Sequence, residues 1–269
     1  MKDEYGEYVW RTIRGARIKI YKNKTLAESI SIQKQNKNYE GTFKDKNTKY
    51  GFINGKYQKI TQQPKFVLKN GKEISFLDKK KYEKMKNDFY NNLTDEEKDV
   101  IGAYMSSPDI VYNNPMYKNS KEISKKFEKI FKTKAVELEE DTLLFRRSWE
   151  DDKEIKKGFT REKIYTSTSA YDNLPKTMPS GYSFGDKELY IIAPKGTKVL
   201  PIEKVGVENV ADYKGEKNIF ARQHEILLDK NIKLKMIKNK TTSKRDYLKP
   251  SDRYMTTIYN YKYVMLLEK

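Results

Sequence analysis

The 269-residue sequence contains no cysteine and a single histidine, His224. The first absence excludes disulfides, thiol nucleophiles and thiolate metal sites, and the second all but removes zinc binding and any serine–histidine triad. Long hydrophobic runs are missing as well. No window reaches the roughly 18 uninterrupted apolar residues that a membrane span needs, and Met1–Trp10 (MKDEYGEYVW) is acidic, without a secretory apolar stretch. The expectation is a soluble chain that acts in the cytoplasm, with no membrane partner.

What is present is positive charge and aromatic bulk. Lys and Arg total 56 against 38 Asp and Glu, a net charge of +18. The excess is mostly Lys interleaved with Asn, Ile and Tyr, so a plainly solvated basic surface and a surface for polyanions are both open readings. Hydrophobic residues are 36%, including 21 Tyr and 11 Phe, so the core must lean on aromatics together with Ile and Leu. The length suits one large domain or two small ones.

Along residues 1–78, short apolar runs (VWRTI, RIKIY, KFVL, EISFL) alternate with turn signals, and Asn70-Gly71 reads as a hairpin turn. This stretch holds 17 basic and 8 acidic residues, half of the whole chain's excess. It reads as a small basic β-rich segment, fit either to touch nucleic acid or a capsid or merely to guard its strand edges with Lys. From Asp78 the period changes. Tyr82, Met85, Phe89 and Leu93 fall at steps of three and four behind Asp78 as a cap, which predicts an amphipathic helix. Thr94-Asp-Glu-Glu97 is a capping box ahead of Val100, Ile101, Tyr104 and Met105. Asn119 or Ser120 opens a third helix with Ile123, Phe127, Ile130 and Phe131 on its stripe. Then come strand-like runs: TLLFRRSW, REKIYTSTSA, KELYIIAP, NIFARQHEILL, NIKLKMI and TTIYNYKYVMLLE. Helices followed by antiparallel-looking strands predict an α+β domain over 79–269.

Three features of the strand-rich half stand out: Arg146 closing Leu143-Leu-Phe-Arg146, the hydroxyl cluster Ser167-Thr168-Ser169, and Gln223-His224-Glu225. Side chains alternate along a strand, so Gln223 and Glu225 are expected on one face with His224 on the other, and Ser167 and Ser169 on one face with Thr168 behind. Glu225 runs directly into Ile226-Leu-Leu228, which would anchor the strand and hold the carboxylate at its rim.

Taken together, Arg146, then aromatic-x-S-T-S (Tyr165–Ser169), then aromatic-x-x-Q-x-E followed by Ile-Leu-Leu (Phe220–Leu228), this order resembles the mono-ADP-ribosyltransferase exoenzymes of the Arg/Ser-Thr-Ser/Glu class. LTDEEKDVIGAYM resembles the helix that opens that family's catalytic domain, Pro194-Lys-Gly-Thr197 a turn after one of its strands, and LLDKNIKLKM the strand pair after its glutamate. The resemblance covers about residues 90 to 240. It implies helices packed on a two-sheet antiparallel β-sandwich, with NAD as co-substrate and no metal. It also implies that Glu225 stabilises an oxocarbenium-like ribose and grips a ribose hydroxyl, and that Arg146 pairs with the cofactor phosphates. Ser167 would orient Glu225 and the nicotinamide pocket, and Thr168 and Ser169 would support the cofactor strand. Arg147 competes with Arg146 for its role.

The arginine-modifying branch of that family has Glu where this chain has Gln223. An amide offers both a donor and an acceptor and fits a neutral acceptor better than a guanidinium. Phe220-Ala-Arg-Gln223 resembles the recognition turn of exoenzymes that label an asparagine on Rho, with Tyr213 and Phe220 as further candidates for acceptor contact. Gln-x-Glu also occurs in pierisin-like members that label guanine in nucleic acid. The resemblance therefore implies transfer to a non-arginine acceptor on a protein, by a monomeric enzyme. Transfer to nucleic acid stands as the alternative, and a catalytically silent structural or nucleic-acid-binding protein as a third reading. Two further details bear on it. Only 21 residues separate Arg146 from Ser167, which leaves little room for an intervening helix. Tyr171–Gly185 resembles a mobile loop over the cofactor, and Val205–Lys217 would lead into the recognition turn. Finally, YVWRTIRGARIKIYKN resembles stretches attached to minor head proteins of tailed bacteriophages, which would place the action in a host cell.

Overall fold

A computed structural model describes residues 2–3, 6–13, 16–27, 29, 39–53, 56–161, 163–171, 185–202, 224–246 and 256–268. Among the described residues of the first 78 there are eight strands: β1 (Lys2–Asp3), β2 (Gly6–Ile13), β3 (Ala16–Tyr21), β4 (Gly41–Lys44), β5 (Asn47–Ile53), β6 (Lys56–Gln62), β7 (Lys65–Leu68) and β8 (Glu73–Ile74). They form three small sheets, β1-β2-β3, β4-β7-β8 and the β5-β6 ribbon. The β7–β8 turn falls at Asn70-Gly71 as expected, with Gly71 at φ 85°, a conformation that costs glycine little.

Three helices follow. In α1 (Lys79–Asn91) the Asp78 carboxylate accepts from the amides of Lys80 and Lys81, satisfying groups that the first turn would otherwise leave open. In α2 (Asp95–Ser106) both halves of the capping box form between Thr94 and Glu97. A 3-10 turn at Pro108–Tyr112 leads to α3 (Ser120–Lys134). The predicted apolar stripes become buried surface: Phe89, Leu93, Ile101, Tyr104, Phe127, Ile130 and Phe131 share one cluster with Tyr165, Leu200, Ile202 and Leu227 of the strand region. Each large side chain buried there contributes about 1.5–3 kcal/mol.

The remaining elements are β9 (Val136–Glu137), β10 (Thr142–Ser148), α4 (Asp152–Lys157), β11 (Phe159–Arg161), β12 (Thr166–Ser169), β13 (Lys187–Ala193), β14 (Lys198–Ile202), β15 (Glu225–Leu228), β16 (Ile232–Asp246) and β17 (Thr256–Glu268). Their strands form one nine-stranded sheet in the order β11-β16-β17-β13-β10-β12-β15-β14-β9. The architecture is α+β, as the sequence predicts. The sheet is not wholly antiparallel, however, because β13 and β17 run parallel, and the strands join in one hydrogen-bonded order. A parallel pair needs a long crossover, and β14 to β16 supply it. The link between β10 and β12 is a single pair, Phe145 with Ser169, so the sheet is weakest at its middle.

Alternation along β10 sorts its side chains. Leu144 joins a cluster with Leu189, Ile191, Tyr263 and Met265 from one wing and Val199, Ile226 and Leu228 from the other. Leu143 and Phe145 face the other way, toward Phe66, Leu68 and Ile74 of the N-terminal segment. Ions reinforce that second contact: Asp45 pairs with Lys262 at 2.8 Å and Lys240 at 3.3 Å, and Lys262 also reaches Glu188 at 3.2 Å.

Three sequence readings change. REKIYTSTSA is two strands rather than one, because Lys163 takes a left-handed conformation (φ 58°) between β11 and β12. KVLPI, with a proline in it, forms β14 and was not predicted. Between Arg146 and Ser167 the chain does fit a helix, the six-residue α4.

Candidate active site

The antiparallel pairing of β12 with β15 sets the register of the candidate residues: Ser167 opposite Leu227, Thr168 opposite Ile226, and Ser169 opposite Glu225. Opposed residues on neighbouring strands share a face, so Ser167, Ser169, Glu225 and Leu227 look toward the helices and Thr168 looks away. The Thr168 hydroxyl, buried, donates to the Ile226 carbonyl at 2.6 Å and ties the two strands together. Ser169 is also buried, and its hydroxyl accepts from the Tyr171 amide at 3.2 Å.

Arg146 comes to this place from β10. Its Nη1 donates to the Ser167 carbonyl at 2.8 Å, and its Nε is buried with no hydrogen-bond partner among the described residues. Burial and the nearby Arg161 charge pull its pKa down to about 10, against the opposing pull of Glu150, Tyr104 and Glu225. Arg161 is itself ion-paired with Glu150. Arg147, one residue along the strand, points to the other face and pairs with Glu188 at 3.1 Å. Among the described residues Arg146 has no carboxylate within ion-pair distance, so of these three arginines it is the one whose charge still calls for an anion.

Glu225 is the first residue of β15. Its Oε1 accepts from the Tyr104 hydroxyl of α2 at 3.1 Å, and its carbonyl accepts from the Tyr82 hydroxyl of α1 at 3.3 Å. Burial, and then the charge of Glu225, push the Tyr104 phenol far above its ordinary value, so it remains a proton donor at any working pH. Arg146, the Ser167 backbone and Glu225 are thus gathered around β12, and the fields of Glu225 and Tyr104 both act on the guanidinium.

The strand does not extend back through His224 as the sequence reading assumed. His224 has φ 44°, so the alternation argument that put Gln223 and Glu225 on one face stops at Glu225. The His224 ring sits edge-on against Tyr171, centroids 4.8 Å apart, and against Tyr82 at 5.2 Å. Gln223, Phe220 and Tyr213 lie outside the described residues, as do 205–217 and 172–184. Gly185 is described, with φ 108°, and a Cβ there would lie 2.3 Å from the Ser148 carbonyl oxygen, so the chain re-enters beside β10 at a point only glycine fits.

Sequence reasoning missed Tyr104 and Tyr82, reading both as apolar stripe. The signal was there, because a tyrosine on a buried stripe must find a partner for its hydroxyl.

Neither protein-family models nor curated proteins give a match to this chain. Solved structures do. The enzymatic component C2-I of the Clostridium botulinum C2 toxin is similar at 16% identity and a TM-score of 0.48, over 82% of this chain and 55% of that one. Plx2a, an ADP-ribosyltransferase toxin from Paenibacillus larvae, is similar at 15% identity and a TM-score of 0.46, over 71% of this chain and 94% of that one. The ADP-ribosylating toxin BECa of C. perfringens, solved with NADH, is similar at 16% identity and a TM-score of 0.46, over 85% and 57%. This chain therefore spans little more than half the length of C2-I. The functional reading rests on its own side chains.

Proposed function

We propose that this chain is a mono-ADP-ribosyltransferase that moves ADP-ribose from NAD to a non-arginine acceptor on a protein and releases nicotinamide. The observation that carries this reading is the convergence on β12 of Arg146, a guanidinium short of an anion, with Glu225, a carboxylate held at a strand end. These are the two charges that breaking a nicotinamide–ribose bond needs. Arg146 would take the diphosphate through its planar fork. Glu225 would grip a ribose hydroxyl and stabilise positive charge as it develops on the ribose.

In the reaction the bond between ribose C1′ and the pyridinium nitrogen breaks, and its electron pair stays on nitrogen to give neutral nicotinamide. The acceptor's nucleophilic atom then bonds to C1′ and gives up its proton to solvent. Ser167 would line the nicotinamide pocket, and Thr168 and Ser169 hold β12 against β15. Gln223 would read the acceptor, with Phe220 and Tyr213 beside it.

On this reading residues 79–269 form the catalytic domain and residues 1–78 a basic β-rich module. The two wings of the sheet would correspond to the two layers of a transferase sandwich, which the core cluster drawn from both wings supports. The enzyme would act as a monomer in the cytoplasm of a host cell, borne there by a phage or delivered as an exoenzyme.

The test is incubation with NAD labelled in its adenylate half, with cell proteins in one arm and DNA or RNA in the other, while free nicotinamide is measured. Nuclease-resistant label on a protein band is the expected result. Label that resists protease and disappears with nucleic acid would replace the protein acceptor by the alternative that the net charge of +18 favours. No nicotinamide release in either arm would overturn the enzymatic reading.

A further inference from the structure

We propose that Tyr104 is the positioning residue for Glu225, holding the carboxylate from the helical layer while Tyr82 pins the backbone of the same residue. This rests on the functional reading above and extends it to residues that the resemblance left unassigned.

The argument begins with how Glu225 is held. It opens its strand directly after a residue in left-handed conformation, with Ser169 of β12 opposite it on one side and Ile202 of β14 on the other, so the sheet fixes its backbone and leaves its side chain at the strand end. A carboxylate at such a position has free rotamers unless something outside the sheet restrains it. Ser167, expected to do this, stands opposite Leu227 rather than Glu225, and its carbonyl is used by Arg146. Ser169 stands opposite Glu225, and its buried hydroxyl accepts from the Tyr171 amide. From the helical layer the Tyr104 hydroxyl reaches the carboxylate, at 3.1 Å from Oε1.

Tyr104 is suited to the task because its surroundings restrain it. Its ring is 4% exposed and packs against Phe127 with centroids 5.0 Å apart, in the cluster that joins α2 and α3 to Leu227 and Ile202. The helix that carries it is fixed at its start by the capping box. Its hydroxyl is therefore aimed before any substrate arrives, which is what a preorganised site requires. Because the phenol keeps its proton, it can donate to the carboxylate throughout the working pH range. A neutral donor on one carboxylate oxygen favours the ionised form and restricts it to one orientation. Tyr82, with its ring fully buried on α1, donates to the Glu225 carbonyl at 3.3 Å and limits movement of the backbone beneath. Among the described residues, the other ionisable groups around this pair include Arg146 on β10, Arg161 on β11, Glu150 before α4, Asp109 and Tyr112 in the 3-10 turn, and His224, which precedes Glu225 and packs on Tyr82.

The experiment compares Tyr104→Phe with the parent chain and with Tyr90→Phe. Tyr90 packs on the same cluster, and its hydroxyl lies 4.0 Å from Met105 Sδ. For Tyr104→Phe, kcat for nicotinamide release should fall about 10- to 100-fold, the worth of one hydrogen bond to a charged group, while KM for NAD changes little. The acid limb of the pH–rate profile should move up by about one pH unit as the carboxylate loses its donor. Tyr90→Phe should match the parent. A plateau rate within about threefold of the parent and an unmoved acid limb would overturn the proposal, and leave the functional reading standing provided Glu225→Gln is inactive.

If the parent releases no nicotinamide, the functional reading fails and the positioning claim is still testable by infrared difference titration of the Glu225 carboxyl, assigned by Glu225→Gln. Its midpoint must rise in Tyr104→Phe, and an unchanged midpoint overturns the claim. Should Tyr104→Phe fail to fold, 3-fluorotyrosine at position 104 keeps the shape and makes the phenol a stronger donor. The carboxyl midpoint must then fall, and a midpoint that stays put overturns the claim.

Discussion

Arg146 and Arg147 are consecutive on β10 and serve opposite faces of the sheet: Arg146 donates to the Ser167 carbonyl at 2.8 Å, and Arg147 pairs with Glu188 at 3.1 Å on the side of the N-terminal segment. Strand alternation makes the division unavoidable. It separates a guanidinium with no carboxylate partner among the described residues from one ion-paired to Glu188.

That separation predicts two different failures. Arg146→Lys should reduce nicotinamide release by about 10²-fold with a nearly unchanged thermal midpoint, since a point charge cannot replace a planar fork. Arg147→Met leaves the Glu188 carboxylate with Lys262 and the Tyr190 hydroxyl but without its guanidinium partner, and should cost about 2–4 kcal/mol in denaturant unfolding, with the activity of the molecules that remain folded close to parental. If the two substitutions exchanged these effects, the assignment of Arg146 to the substrate would be wrong.

Glu225→Gln keeps the shape and the Tyr104 contact but removes the negative charge. Nicotinamide release should fall by about 10²- to 10³-fold or more and the thermal midpoint should hardly move, because a carboxylate at a strand end contributes little to packing. Gln223→Ala should behave otherwise, sparing slow NAD hydrolysis while transfer to the acceptor drops. Parallel loss of both reactions in Gln223→Ala would remove its acceptor-reading role.

Asp45 ties the N-terminal segment to β16 and β17. Partial burial pushes its pKa up, but the Lys262 hydrogen bond and charge, with help from Lys46 and Lys240, outweigh this and hold it below its ordinary 3.8. A carboxylate whose folded pKa is depressed stabilises the fold above the unfolded value, and that contribution disappears as pH falls through the folded value. Asp45→Asn should therefore melt below the parent at pH 7, with the gap closing as the pH is taken below 3.8. A gap that stayed constant across this range would show that the ion network does not staple the segment.

Thr94→Ala removes one half of the capping box on α2. It should cost about 1 kcal/mol of stability. Because the same helix carries Tyr104, amide exchange should quicken in the first turn of α2 before it does so elsewhere. Uniform exchange across α1, α2 and α3 would mean that the box is not what secures the helix start.

Much of the helical layer was legible from spacing alone. Tyr82, Met85, Phe89 and Leu93 recur at the helical period, and Asp78 and Thr94-x-x-Glu97 announce where the helices begin, because these are contacts within a few residues of chain. Asn70-Gly71 marked its turn for the same reason. The identities of Arg146, Ser167 and Glu225 were legible as an order of motifs, not as a place. KVLPI passed unnoticed since Pro201 argues against a strand until its neighbours are known, and only the pairing with β15 and β9 makes it one.

Local chemistry along the chain, then, was enough for helix starts, turns, apolar stripes and the three candidate side chains, since each depends on neighbours a few bonds away. Long-range pairing alone could give Arg146 and Arg147 their different partners, seat Glu225 across from Ser169 rather than Ser167, run β13 parallel to β17, and bring a tyrosine 121 positions distant onto a carboxylate. Those contacts depend on which surfaces remain to be buried once the local elements exist, and no residue's own sequence neighbours hold that information.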